Sequence, residues 1–168
     1  MSASKLSSVS YFRNFIFGVE DSLVSTVGLL SGIAIAGVPR GTIFITGAIL
    51  ITVEAFSMAA GSFLSEYSAE EYENKLESPS RRDFISGVIM FFSYFVSGFI
   101  PLFPYVAFSV NMALKVSVVL SVSALFILGV VGARISRVNI IKNAIRMAAV
   151  GGIAILVGMV AGSFIFKM

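Results

Sequence analysis

From Thr42 to Ser65 the chain is apolar or small in character and carries a single charge, Glu54. Four other stretches have the same long apolar character, and polar turns separate them. A run of about 20 apolar residues is the length a helix needs to cross a bilayer. Lipid also excludes lone strands and open loops, because no water satisfies their backbone groups. The fold class is therefore all-α, a polytopic membrane protein with five transmembrane helices. Composition agrees: 57% of the 168 residues are hydrophobic and 12% are charged, against about 45–50% and about 25% in soluble domains.

The expected spans cover about 12–36, 42–66, 84–105, 112–133 and 145–166, within a single domain of residues 1–168. Met1 to Tyr11 lacks the charged start and apolar core of a signal peptide and reads as mature chain. Gly37-Val38-Pro39-Arg40-Gly41 reads as a turn. Residues 67–83 form a short acidic and basic loop, although helix-forming residues up to Leu76 could carry the second span into solvent. Pro101 and Pro104 predict a helix break at the end of the third span. Small residues recur at helical spacing in the first span, including Gly28 and Gly32, and again at Gly158 and Gly162. Such faces let helices approach closely, either within one chain or between two copies.

Basic residues set orientation. Lys5, Arg13, Lys75, Arg81, Arg82, Arg134, Arg137, Lys142 and Arg146 fall on one side; Arg40, Lys115 and Lys167 fall on the other. The N-terminus is thus expected in the cytoplasm and the C-terminus on the far side. The basic pI of about 9.4 reflects these loops and not nucleic-acid binding. The chain has no Cys and no His, which excludes disulfides, thiolate metal sites and Cys- or His-based catalysis. No nucleophile and base pair stands out, so an enzyme is not expected.

The functional candidates are the polar groups inside the spans. An ionisable side chain at membrane depth costs about 2.5–3.5 kcal/mol on insertion scales, so each one needs a reason. Glu20 and Asp21 lie in the first span; Glu54 and Met58 lie one helical turn apart on one face of the second. Counting from the expected cytoplasmic ends puts Asp21 and Met58 level, each roughly 12 Å deep, with Glu54 about 6 Å deeper. Carboxylate oxygen suits hard cations and thioether sulfur soft ones, a mixture suited to Fe²⁺ or Mn²⁺. Glu66, Glu70, Glu71 and Glu73 read either as a solvated helix surface or as a cation-gathering vestibule.

Four stretches carry a family resemblance. They are Phe17 to Ser25, Ala55 to Ser65 with its Ser-Met-x-x-Gly, Ile100 to Tyr105 with Pro-Leu-x-Pro-Tyr, and the glycine-rich Ala148 to Ala161. Together they resemble the vacuolar iron transporter family. The resemblance implies a homodimer of five-span protomers that exports cytosolic Fe²⁺ or Mn²⁺ in exchange for protons. It implies that Asp21 and Met58 line an ion path at the dimer interface. It implies no permanently bound cofactor; the metal is cargo. The host would be the plasma membrane of a prokaryote or a vacuolar-type membrane of a eukaryote. The chain departs from the family pattern in two ways. A long cytosolic metal-binding domain between spans two and three is absent, and the family's second-span Glu position holds Leu50, with the Glu at 54. The other readings from the residues are a proton-coupled exporter of an organic cation, working through Glu54, and a non-transport membrane subunit or scaffold using the glycine faces.

Overall fold

The computed structural model describes residues 3–74 and 79–167. Six helices follow in order: α1 (Ala3–Ile35), α2 (Arg40–Asn74), α3 (Arg81–Leu102), the single-turn α4 (Pro104–Ala107), α5 (Val110–Ser136) and α6 (Ile140–Lys167). Five of the helical segments are long and apolar enough to cross a membrane, and the protein is an integral membrane protein. The helices outrun the expected spans because a helix need not stop where the lipid does. α1 starts well before residue 12, and Tyr67–Asn74 of the expected loop continues α2. Lys75 and Glu77 lie outside the described residues.

Local chemistry explains each stop. α1 ends in a Schellman arrangement: Gly37 takes φ 76°, and Val38 and Gly37 donate to the carbonyls of Ile33 and Ala34 at 3.2 and 3.1 Å. Glycine accepts this left-handed conformation without a Cβ clash. α3 begins with a capping box, in which Asp83 N–H donates to Ser80 Oγ and Ser80 N–H donates to the Asp83 carboxylate. It stops at Phe103, between the two prolines. Ser117 on α5 donates to the Pro101 carbonyl at 2.7 Å, satisfying a backbone acceptor at the break.

α1 is the central helix. It packs against α3, α6 and α5, and more thinly against α2, while α3 lies along both α1 and α2. Small residues make these approaches possible. A Cβ on Gly32 would meet the Gly158 carbonyl oxygen at 2.8 Å, and Cβ atoms on Gly158 and Gly162 would overlap the backbones of Gly28 and Gly32. The glycine faces of α1 and α6 thus pack on each other within one protomer. Gly87 does the same for α3 against α2, where its Cβ would stand 3.0 Å from the Ala59 carbonyl. Leu30, Ile43, Ile51, Leu102, Tyr105 and Ala113 form a buried cluster toward the end of the bundle where α1 turns into α2.

The opposite end is held by charge. Glu66 on α2 is 5% exposed. Its carboxylate accepts from Ser10 and Arg13 on α1 and from Arg82 on α3, the last at 3.1 Å. Arg82 also reaches Glu70 at 3.3 Å. One buried carboxylate therefore ties three helices together.

Two outcomes are expected from thermal unfolding in detergent. Gly158→Leu loses stability toward the upper end of the about 1–3 kcal/mol typical of overpacking, because backbone and not a flexible side chain blocks the new atoms; Gly152→Ala, which meets open space, serves as the neutral control. Glu66→Ala costs about 3 kcal/mol, as breaking a buried pair does, whereas Glu71→Ala on the exposed flank of α2 stays within about 0.5 kcal/mol.

Candidate functional site

The ion network fixes how α1 and α2 face each other. Ser10 meets Glu66. The Arg13–Phe17 turn shares a groove with Met58, Gly61 and Ser62. Farther along, Leu30 lies against Gly47. The two helices run antiparallel, so each step forward on α1 is matched by a step backward on α2.

This register brings Asp21 opposite Glu54. Both carboxylates are partly buried. Expectation and structure part here. Counting from the expected span ends placed Asp21 level with Met58. The observed pairing moves Met58 about one turn toward the Glu66 end, beside Asn14 and Phe17. The difference arises because the count began at Phe12, whereas the Ser10–Glu66 contact sets the true level; a slip of three residues is about 4.5 Å along a helix.

A third helix completes the surroundings. Tyr94 of α3 is fully buried, and its hydroxyl shares a 2.7 Å hydrogen bond with Ser25. Ser22, next to Asp21, donates to the Tyr94 carbonyl at 2.6 Å, which pins α1 to α3 beside the acidic pair. Gly98 allows the close approach there, since its Cβ would meet Ile51 and the Ser22 hydroxyl. Ser22, Ser25 and Tyr94 were missed in the sequence as site residues. Serine and tyrosine are common in spans, and only the fold shows that these three join α1 to α3 beside Asp21.

The other candidates are placed as follows. Glu20 is half-buried, and one residue along α1 turns it about 100° away from Asp21. Glu66 and Glu70 face arginines, while Glu71 and Glu73 are exposed. Gly28 and Gly32 serve the α1–α6 contact within the protomer. Pro101 and Pro104 flank the α3–α4 break. Among the described residues, no group of three or more Asp, Glu, His or Cys converges to hold a metal.

Comparisons with known proteins agree with this architecture. The chain is 28% identical over 159 residues to vacuolar iron transporter homolog 5 of rice, covering 84% of this chain and 74% of the relative. It is 25% identical over 163 residues to vacuolar iron transporter homolog 4 of Arabidopsis thaliana, covering 88% and 80%. An uncharacterised protein of Methanocaldococcus jannaschii is 28% identical over 156 residues, covering 89% and 80%. Matches to the VIT family run over residues 12–85 and 74–163, which takes in all five spans and the acidic pair, and the chain belongs to that family.

Proposed function

We propose that the protein carries a divalent metal cation, Fe²⁺ or Mn²⁺, out of the cytosol in exchange for protons. The observation that carries this reading is the shared level of Asp21 and Glu54 on two antiparallel helices inside the spans. Partly buried carboxylates at membrane depth favour compensating positive charge or protonation. A divalent cation supplies it in one state and protons supply it in the other. Binding one therefore releases the other, which is the linkage an antiporter needs.

The liganding chemistry is consistent with transit. Two carboxylates with hydroxyl neighbours hold a hard or borderline cation without enclosing it, and an ion that is carried must also leave. The relatives named as vacuolar iron transporter homologs make iron the first metal to test. A homodimer suits the same chemistry. Two carboxylates from one protomer leave a cation's coordination incomplete, and a second copy whose path adjoined the first would bring a further pair. The thin α1–α2 contact leaves the helices that carry this pair as the natural place for such a junction. The basic ends of α1 and α3 and the α5–α6 turn lie on one side of the bundle, marking it as cytosolic.

Flux in proteoliposomes tests the reading. Native protein is expected to take up Fe²⁺ when a proton gradient opposes the metal flow, and a protonophore should abolish the acceleration. Asp21→Asn and Glu54→Gln should each fall to the level of empty liposomes while keeping native thermal stability. If both variants move Fe²⁺ at the native rate, the acidic pair is not the site.

A further inference from the structure

The acidic pair leaves unexplained the basic turn between α5 and α6. From Phe84 to Met168 the chain holds six Lys or Arg and no Asp or Glu. Four of the six, Arg134, Arg137, Lys142 and Arg146, fall between residues 134 and 146. A Cβ on Gly132 of α5 would stand 3.6 Å from Ile16 of α1. The turn therefore lies at the Glu66 end of the bundle, the side read as cytosolic.

The bases here are uncompensated. Among the described residues, the ion pairs are all made by Arg13 and Arg82. Lys142 and Arg146 line a pocket of about 210 Å³, together with Val138, Asn139 and Asn143. Its walls are tied by hydrogen bonds. The Asn143 amide donates to the Gly129 carbonyl at 2.8 Å and accepts from the Arg146 guanidinium at 2.8 Å. The Asn139 side chain accepts from the Lys142 N–H at 2.9 Å. That bond caps the start of α6, so the attraction left for an anion comes from side-chain cations. Apolar residues stand between the bases: Ile135, Val138, Ile141 and Ile145 are each more than half exposed. A water-soluble anion makes no use of such a rim, whereas a lipid matches both its charge and its apolar flank.

We propose that this pocket is a site for an anionic phospholipid of the cytosolic leaflet, with Lys142 and Arg146 binding the headgroup phosphate. The two cations complement each other. A guanidinium offers paired donors to phosphate oxygens, and an ammonium adds a compact charge. The cytosolic leaflet is the negatively charged one, and basic pockets at that face suit lipid headgroups. Ile141 and Ile145 then rest beside the acyl chains. The site stands apart from Asp21 and Glu54 and does not depend on what the protein carries. A diffuse basic surface also attracts anionic lipid, but there every base on the same side counts alike. A pocket makes Lys142 and Arg146 count for more than the rest.

The test uses the full chain in detergent micelles doped with phosphatidylglycerol or phosphatidylcholine, with retained lipid counted by native mass spectrometry. Native protein is expected to retain phosphatidylglycerol in preference to phosphatidylcholine. Lys142→Gln and Arg146→Gln should each weaken that retention about fivefold, the effect of one cation near an anionic membrane surface. Arg81→Gln removes the same charge from an exposed position at the same end and should change retention by less than about twofold. Lys142 and Arg146 are exposed, so both variants should keep the native thermal midpoint in phosphatidylcholine micelles. In phosphatidylglycerol micelles the native midpoint should rise, since bound ligand stabilises the folded state, and the two variants should lose that rise. Equal losses in all three variants, or equal retention of the two lipids by native protein, overturns the proposal. A rise in the native midpoint with inorganic phosphate alone that Lys142→Gln removes marks a soluble-anion site, and that result overturns it too.

Discussion

The register between α1 and α2 depends on one carboxylate. Glu66 is buried where α1, α2 and α3 meet, and it binds Ser10 and Arg13 on one side and Arg82 on the other. A charge held away from water is costly unless paired and hydrogen-bonded. The pairing is directional, since a carboxylate is satisfied only where its donors stand. The network therefore does more than join three helices. It fixes their axial positions, and Asp21 stands level with Glu54 as a consequence. A slide of one turn along either helix would separate the acidic pair and strand Glu66 among apolar side chains.

Apolar burial cannot supply that precision in a membrane, because lipid tails are as apolar as leucine side chains. What remains is close packing and hydrogen bonding. α1 shows both. Along its α6 face the glycines at 28 and 32 let backbones touch. Along its α3 face Ser22 and Ser25 bond to Tyr94. With small residues on two flanks, α1 becomes the central strut of the bundle. α2 is different. It contacts α1 thinly and rests mainly on α3, and its outer face, with Ile45, Ile49, Val53 and Phe56, is exposed. The groove beside Met58 follows from this arrangement, since two helices held apart by a third leave space on the side the third does not fill.

Much of this was legible in the sequence. Five apolar runs gave five spans; Gly37 with Pro39 gave the first turn, and Pro101 with Pro104 gave the break in the third. Each of these is local, a matter of residues close in the chain. The pairing of Asp21 with Glu54 was not legible, although both residues stood out. Depth had to be counted from helix ends, and apolar content marks ends poorly when a helix runs on past the lipid, as α1 does at its start and α2 does to Asn74. The role of Glu66 was hidden for a related reason. A glutamate just beyond an apolar run looks solvated until its partners are known, and those partners lie 56, 53 and 16 residues away. The glycine faces were legible as packing surfaces, but which surface met which required the fold.

The same ion network bears on how a cation nears the site. Arg13 lines the groove beside Met58 and Arg82 shares Glu66 with it, and free guanidinium groups there would repel a dication. They are not free. Glu66 and Glu70 bind them, so formal charge at the mouth balances. If these glutamates instead gathered metal, the arginines would be released as uncompensated positive charge directly in the ion's way. The two roles exclude each other at Glu66, whose burial between both arginines leaves little room for a further ligand. Glu71 and Glu73, exposed farther out on α2, carry no such conflict. Formal charge at that end of α2 is therefore balanced where Glu66 and Glu70 meet the arginines, while Glu20, Asp21 and Glu54 have no ion pair among the described residues.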